Sequence, residues 1–210
     1  SRFERLTFDG AGRARAGFAF KWHDRGDAGQ TSSNRIALTG VVFRDLAVGF
    51  DGGGKQLWLD SEVLCERCRF ARCTRFGCGI RDFTIFHSGV FALRHNRSEG
   101  SRRFVHAKNH GANGALMHLQ GNTVIDTAEP DAVVLETQGP LQLTDNAFIS
   151  RAGAEGPAVR AGVRLSPGAD EDPERWAPLA CAAVGNRFSV AKPMQVQGQL
   201  VELDTTVEGR

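Results

Sequence analysis

Short segments in which apolar and polar residues alternate dominate the hydrophobic pattern of this chain. Examples are Arg35–Thr39, Phe91–Arg94, Leu116–Leu119 and Leu141–Thr144. Alternation with a period of two is typical of a β-strand with one buried face. No stretch shows the sustained apolar spacing of three and four residues that marks an amphipathic helix. The pattern therefore predicts an all-β protein.

The alternating segments recur along the chain, which indicates an internal repeat. We number each repeat from a turn position that lies three residues after the second apolar residue of the segment. The turn positions are Ala11, Val41, Cys68, Asn96, Asn122, Asn146, Asn186 and Thr206. The residues five and three positions before them, predicted to face the core, are Leu6/Phe8, Ile36/Leu38, Val63/Cys65, Phe91/Leu93, Met117/Leu119, Leu141/Leu143, Cys181/Ala183 and Val201/Leu203. In five repeats an apolar residue two positions after the turn marks a second strand: Phe43, Phe70, Val124, Phe148 and Phe188. An apolar pair on a third strand follows in most repeats: Phe18/Phe20, Val48/Phe50, Cys78/Ile80, Val105/Ala107, Val133/Leu135, Val159/Ala161 and Met194/Val196.

Three short strands per repeat predict the coils of a parallel β-helix, in which stacked coils bury a shared core. We expect about seven coils and three parallel sheets. Four turn positions are asparagine, whose side-chain amides bond well to stacked copies of themselves. A β-sandwich is the alternative, but its hairpins favour Asn-Gly or Asp-Gly turns. The chain has three such pairs, at Asp9-Gly10, Asp51-Gly52 and Asn113-Gly114.

Several turn segments resemble those of the right-handed parallel β-helix, or pectate-lyase-like, superfamily. The resemblance rests on Cys68-Arg-Phe70, Gly121-Asn-Thr-Val-Ile125, Asp145-Asn-Ala-Phe-Ile149 and Gly185-Asn-Arg-Phe188, with Leu6-Thr-Phe-Asp-Gly-Ala-Gly12 as an early coil. It covers nearly the whole chain. It implies a right-handed solenoid (the pectin-lyase fold). In the carbohydrate-active members it also implies a polysaccharide groove on the outward face of one sheet.

We interpret residues 1–210 as a single β-helix domain that is a fragment of a longer chain. No amphipathic capping helix is visible before Leu6 or after Leu203, so further domains or other chains are expected to cap the two ends. A polar, proline-rich insertion at 166–178 lengthens the segment between Asn146 and Asn186. Its acidic stretch Asp170–Glu174 is either a solvated loop or a calcium site, and no other cofactor is expected.

Composition and charge limit the partners. Of the 210 residues 24% are charged, and the formal net charge of +2 is too small to indicate nucleic-acid binding. No apolar stretch is long enough for a transmembrane helix, so we expect no membrane insertion. No charged-then-apolar leader begins at Ser1, which leaves a cytoplasmic, a processed or a partial chain. With a glycan as the expected partner, we expect a secreted or cell-surface protein.

Four of the five cysteines form the cluster Cys65-x2-Cys68-x4-Cys73-x4-Cys78. Such spacing is compatible with a zinc or iron–sulfur site. Cys65, Cys68 and Cys78, however, occupy the predicted inward rows, where cysteine behaves as a small hydrophobic residue. We therefore expect buried, reduced thiols and no metal.

His106-x3-His110 is a second possible metal motif. We interpret both histidines as solvated, because a strand followed by a loop does not place both rings on one side.

The outward residues of the third strand are the candidate site. The residues that follow the apolar pairs include Asp51, Arg81, Lys108 and Glu136, and the preceding outward residues include His106 and Arg160. By the resemblance to polysaccharide lyases, Arg81, Lys108 and His106 are candidate catalytic residues, and Asp51, Glu136 and Arg160 are candidate substrate-binding residues. The alternative is that these charges merely keep the sheet soluble.

Two functions follow. The first is a carbohydrate-associated module that binds or processes an acidic polysaccharide on this face, as a lyase or a hydrolase if it is an enzyme. Hydrolases need two carboxylates roughly 5 to 10 Å apart, whereas Asp51 and Glu136 are predicted three coils apart, roughly 14 Å. The second is a non-catalytic structural or adhesion segment of a larger surface or secreted protein, which the missing acid pair favours.

Overall fold

The computed structural model describes residues 1–19, 31–52, 56–58, 61–80, 84–86, 89–108, 116–127, 132–136, 140–150, 157–161, 179–190, 192–196 and 198–208. All regular elements in these ranges are strands. In chain order they are β1 Arg2–Glu4, β2 Thr7–Asp9, β3 Ala16–Ala19, β4 Thr31–Ser32, β5 Arg35–Thr39, β6 Val42–Arg44, β7 Val48–Asp51, β8 Gln56–Trp58, β9 Ser61–Glu66, β10 Arg69–Ala71, β11 Phe76–Ile80, β12 Thr84–Phe86, β13 Gly89–Arg94, β14 Arg97–Glu99, β15 Val105–Lys108, β16 Leu116–Gln120, β17 Thr123–Ile125, β18 Val133–Glu136, β19 Leu141–Thr144, β20 Ala147–Ile149, β21 Pro157–Ala161, β22 Leu179–Val184, β23 Arg187–Ser189, β24 Lys192–Val196, β25 Gly198–Leu203 and β26 Thr206–Val207. The insertion predicted at 166–178 lies outside these ranges, as does Phe20.

The strands form stacked parallel sheets in which neighbours come from successive repeats. Sheet A has the order β1-β5-β9-β13-β16-β19-β22-β25, and sheet B has the order β2-β6-β10-β14-β17-β20-β23-β26. Sheet C has the order β24-β21-β18-β15-β11-β7-β3, and the small sheet D has the order β12-β8-β4. This all-β, parallel arrangement is compatible with the expected parallel β-helix. Sheet D was not predicted.

The central repeats follow the predicted register. Phe91 pairs with Val63 on one side and with Met117 on the other, and all three side chains are buried. The first repeat departs from it, because Phe8 pairs with Phe43 in sheet B. Leu6, predicted to face the core, stands beside Val41 at the turn and is partly exposed.

The last repeat is shifted by one residue. Leu200 pairs with Cys181 and Glu202 with Ala183, so these two hold the inward positions. Val201 and Leu203, predicted to face the core, are 59% and 58% exposed. A shift of one residue moves every side chain of a strand to the opposite face.

A ladder of buried asparagines joins four repeats at the turn positions. The Nδ2 of Asn96 donates to Oδ1 of Asn122 at 3.0 Å, and the same bond links Asn122 to Asn146 and Asn146 to Asn186 at 2.9 Å. Each Nδ2 also donates to a backbone carbonyl, such as that of Leu93. The buried amides are therefore paired, which removes the cost of burying them.

Residues with left-handed backbone conformation form a row along one corner, and from Gly40 to Gly185 each stands immediately before a turn position. The row is Arg5, Gly40, Arg67, His95, Gly121, Asp145, Gly185 and Asp204. The larger members lean over glycines of the next repeat. A Cβ on Gly121 would lie 2.4 Å from Nδ1 of His95, and one on Gly185 would lie 2.4 Å from Oδ1 of Asp145. Side-chain size along this corner is therefore constrained by the neighbouring repeat.

Phenylalanines stack in sheet B on its inner side. The rings of Phe43 and Phe70 are 5.1 Å apart and nearly parallel, as are those of Phe148 and Phe188 at 5.0 Å. Such ring pairs add stabilisation beyond the area that they bury.

The cysteine cluster fills the core between these sheets. All five cysteines are buried and outside disulfides. The Sγ atoms of Cys65 and Cys78 lie 3.9 Å apart, and Cys78 pairs with Phe50 rather than with Val48. Burial raises the pKa of Cys68 to about 12 and that of Cys73 to about 11. Because metals bind the thiolate form, these environments oppose metal binding.

Candidate functional site

The outward face of sheet C carries one continuous row of residues across its seven strands. In spatial order the row is Ala19, Asp51, Gly79, His106, Val134, Arg160 and Gln195. Adjacent strands of a sheet are about 4.8 Å apart. His106 therefore lies roughly 10 Å from Asp51 on one side and roughly 10 Å from Arg160 on the other, measured between backbones.

Three of the six predicted site residues, Asp51, His106 and Arg160, share this row. Lys108 and Glu136 are register partners on adjacent strands, two residues further along. Their side chains lie outside the described part of the structure, as does Arg81. The sequence thus placed His106 and Arg160 together correctly.

Asp51 was predicted in the row of Lys108 and Glu136, and this placement is wrong. Phe50 pairs with Cys78, so Asp51 falls beside Gly79. The alternation of Val48 and Phe50 fits two registers that differ by two residues. The observed one turns Phe50 into the core and leaves Val48 outside the core cluster.

The Asp51 end of this face is closed to solvent, although the sequence predicted Asp51 as an outward, substrate-binding residue. Asp51 is 1% exposed, and Val48 and Phe76 nearby are 1% and 2% exposed. His106 and Arg160 are only half-buried. The face therefore changes from a buried carboxylate to partly accessible basic side chains within a few strands.

A β-bulge places Phe76 on this face. Thr74 donates its N–H to the Leu46 carbonyl, and the N–H groups of both Arg75 and Phe76 point to the Ala47 carbonyl, at 2.9 and 3.4 Å. Two residues therefore oppose one residue of the neighbouring strand, an arrangement that redirects side chains. Phe76 was not predicted from the sequence, because a bulge leaves no signature in the apolar pattern.

Phe76 forms a wall against His106. The two rings meet edge to face, with centroids 5.9 Å apart and planes at 86°. Gly79 lies between them, and a Cβ there would come within 2.3 Å of the His106 carbonyl oxygen and 2.8 Å of the Phe76 ring. Only glycine fits at this point, so Gly79 leaves the space in which the rings of Phe76 and His106 make contact.

Arg160 contains a buried hydrogen-bond donor, its Nε–H, that no described residue accepts from. Its Nε is buried and has no hydrogen-bond partner there. A buried donor without a partner costs free energy that an incoming acceptor would recover. Arg103, which the sequence analysis did not select, lies opposite Phe76 one strand away and is half-buried.

Among the side chains that the structure describes, this face offers the carboxylate of Asp51, the imidazole of His106 and guanidinium groups. The strands that carry Asp51 and Glu136 are three apart in sheet C, roughly 14 Å, which is too far for the acid pair of a glycosidase.

Among the described residues no group of three or more His, Cys, Asp or Glu side chains is placed to hold a metal ion. In the same part of the chain no helix long and apolar enough to cross a membrane is found.

Comparisons with known proteins do not assign the chain to a family. No family model, no curated protein and no solved structure matches it. Function has to be argued from the site itself.

Proposed function

We propose that this chain is a pectate-lyase-like parallel β-helix of about seven coils that binds an acidic polysaccharide on the outward face of sheet C. Three long sheets, in which every strand is followed by its equivalent from the next repeat, support the solenoid. We further propose a secreted or cell-surface location, in keeping with a glycan partner.

The observation that carries the binding proposal is that His106 and Arg160, both half-buried, lie in one outward row, two strands and roughly 10 Å apart. Guanidinium groups bind carboxylates and sulfates through charge-assisted, often bidentate hydrogen bonds. The buried Nε of Arg160 has no partner among the described residues and is a donor for such an acceptor. A polysaccharide lying across the strands would meet both side chains.

Phe76 and Gly79 support the same proposal by fixing the imidazole. The edge-to-face contact of Phe76 restricts rotation of the His106 ring. A prearranged side chain loses less conformational entropy on binding than a mobile one. His106 is therefore the residue on this face best prepared to hold a ligand.

Lys108 and Glu136 would extend the binding surface by one row, and Arg81 would extend it further. If the chain cleaves its ligand, the proposed reaction is β-elimination, with the base drawn from His106, Lys108 or Arg81. No cofactor is needed for binding. Calcium at Asp170–Glu174 is the proposed addition for a lyase, since these enzymes neutralise the uronate with a cation.

A structural or adhesion segment is the second candidate function. It is favoured by Asp51, which is 1% exposed and cannot serve as an accessible acid without rearrangement. Under this proposal the charges of sheet C keep the surface soluble. The two candidates differ in whether acidic glycans bind.

The deciding experiment measures binding of polygalacturonate oligosaccharides by calorimetry at low salt. We expect His106→Gln with Arg160→Gln to weaken binding at least tenfold, because the guanidinium contact and the imidazole hydrogen bond are both lost. Arg35→Gln is the matched control: it removes an exposed arginine of sheet A and should change affinity less than twofold.

Cleavage is assayed on the same samples by ultraviolet absorbance of unsaturated products and by release of reducing ends. Absence of binding by the wild-type chain to any acidic glycan would favour the structural segment. Equal affinity of the folded double variant and the wild type would exclude the outward face of sheet C.

A further inference from the structure

Sheet B carries exposed arginines on three adjacent strands of its outward face. Arg44 lies on β6, Arg69 on β10 and Arg97 on β14, and all three side chains are about half exposed. Arg69 and Arg97 are direct register partners. Like charges in this position repel each other and weaken a sheet.

Three more arginines follow where the chain turns from sheet B towards sheet C. Arg72 and Arg75 follow β10, and Arg102 follows β14; all three are exposed. We define the arginine surface as Arg44, Arg69, Arg72, Arg75, Arg97 and Arg102. It spans three repeats, roughly 10 Å along the stacking direction.

Acidic residues neutralise only part of this surface. Asp9 pairs with Arg44 at 2.7 Å, and Asp45 accepts two hydrogen bonds from Arg72, at 2.7 and 2.6 Å. Glu99 lies 3.2 Å from Arg97 and 3.7 Å from Arg69, so both guanidinium groups share one carboxylate.

The charge balance is therefore positive. Within the described ranges, the four arginines in these ion pairs share three carboxylates, which leaves a formal excess of one positive charge. Exposed ion pairs of this kind are weak and are screened by salt. An incoming polyanion can displace them.

The fold does not need arginine at these sheet positions. The other members of the row that contains Arg69 and Arg97 include Thr7, Val42 and Thr123. Such residues form strands well without mutual repulsion. The two adjacent arginines thus lower the stability of the sheet, and a ligand that bridges them would remove that penalty.

The chemistry of the surface favours an acidic polysaccharide over other polyanions. The outward positions of β6, β10 and β14 carry no aromatic side chain on which bases could stack, as single-stranded nucleic acids require. They carry no helix or projecting ribbon to enter a DNA groove and no exposed apolar stripe to enter a membrane interface. What they offer is a flat array of guanidinium forks, which fits regularly spaced sulfates or carboxylates.

We propose that the arginine surface is a second binding site for an acidic polysaccharide, around the corner from the outward face of sheet C. The ligand class rests on the proposed function, whereas the site rests on the geometry of sheet B. Sulfate and carboxylate groups share the required oxyanion chemistry, so the test uses one probe of each kind.

The experiment measures affinity for heparin oligosaccharides and for polygalacturonate at several salt concentrations. Arg69→Gln with Arg97→Gln should weaken binding of at least one probe tenfold or more. The slope of log affinity against log salt should fall by about two, one for each cation removed. Because the change also removes a like-charge contact, we expect an equal or higher melting temperature.

Arg187→Gln is the matched control. Arg187 belongs to the same row, is exposed, and is three strands away from Arg97. It should alter affinity less than twofold. A loss as large as that of the double variant would show a non-specific charge effect and would overturn the site.

The outcomes separate this inference from the proposed function. If the sheet C variant His106→Gln with Arg160→Gln loses binding while Arg69→Gln with Arg97→Gln keeps it, the arginine surface is not a glycan site and the proposed function stands. The reverse result excludes the sheet C face and supports the arginine surface. Absence of glycan binding together with arginine-dependent binding of duplex DNA or of anionic vesicles would overturn the ligand class.

Discussion

Ser98 and Phe104 are a small and a large residue at two positions where the preceding repeat has a large and a small one. Phe70 is the register partner of Ser98. Gly77 is at the position equivalent to Phe104, because the residues that follow them, Cys78 and Val105, pair with each other. A Cβ on Gly77 would lie 3.0 Å from Phe70. In the next repeat the ring comes from Phe104 instead, with its centroid 5.8 Å from that of Phe70. In these two repeats one aromatic ring thus fills this part of the core, in one from sheet B and in the other from the residue before β15.

This exchange predicts strong coupling between the two positions. Ser98→Phe alone should destabilise by roughly 1–3 kcal/mol through overpacking, and Phe104→Gly alone by roughly 3–5 kcal/mol through the cavity. The double variant should be more stable than the sum of the two losses predicts, because it recreates the arrangement of Phe70 and Gly77. Urea unfolding of the four proteins gives the coupling free energy. Strict additivity would contradict the exchange.

The corner row predicts that Gly121→Ala lowers the free energy of unfolding more than Gly40→Ala does. Both glycines have φ of +61°, so the cost of the left-handed backbone is matched. Gly40 has only Cγ of Arg5 nearby, at 3.7 Å, whereas a Cβ on Gly121 meets His95 at 2.4 Å. The difference in the free energy of unfolding should shrink when His95→Ala is added to Gly121→Ala. Equal costs for the two single variants would show that His95 moves aside freely.

His118 predicts a specific pH dependence of stability. Partial burial, together with the nearby Arg94, lowers the pKa of this imidazole from its ordinary value of 6.5. Below pH 6.5 the unfolded chain therefore binds more protons than the folded one. The free energy of unfolding should decrease as the pH falls through this window.

His118→Gln should reduce that decrease, and Arg94→Gln should raise the pKa of His118 in an NMR titration. An unaltered slope in His118→Gln would assign the pH dependence to other groups.

The buried thiols predict low chemical reactivity. Burial raises the pKa of Cys181 to about 11, and Cys68 and Cys73 are raised comparably. Native protein should react with a thiol reagent at pH 8 far more slowly than urea-unfolded protein, which should titrate all five cysteines. Elemental analysis should find no bound zinc. Stoichiometric zinc, or rapid reaction of the native protein, would contradict the packing interpretation.

Apolar alternation predicted the central part of the fold because each register choice there is enforced by burial. A slip at Phe91 or Met117 would expose a whole row of the core. The asparagine positions were equally informative, since a buried amide needs a stacked partner. The first repeat was misplaced because Phe3, Leu6 and Phe8 fit more than one register. In the last repeat, Leu200 and Val201 are adjacent apolar residues, so the pattern does not decide which of them faces inward.

The candidate site was only partly predictable. His106 and Arg160 follow from the register of well-defined strands, whereas Phe76 depends on a bulge that one backbone carbonyl, that of Ala47, accommodates. The left-handed corner had a signal that was not used. Glycine or aspartate stands immediately before several turn positions, as at Gly40, Gly121 and Asp145, and these types tolerate positive φ.

The asparagine ladder has an electrical direction. Asn96, Asn122 and Asn146 each donate an Nδ2–H to the Oδ1 of the asparagine in the next repeat, and Asn186 is the last acceptor. The four side-chain dipoles are therefore aligned head to tail, with the positive end towards Asn186, and hydrogen bonds in such a chain polarise one another. Parallel strands add little net dipole of their own. The row of amides thus gives the stacking axis an intrinsic polarity inside a core that is otherwise almost entirely apolar.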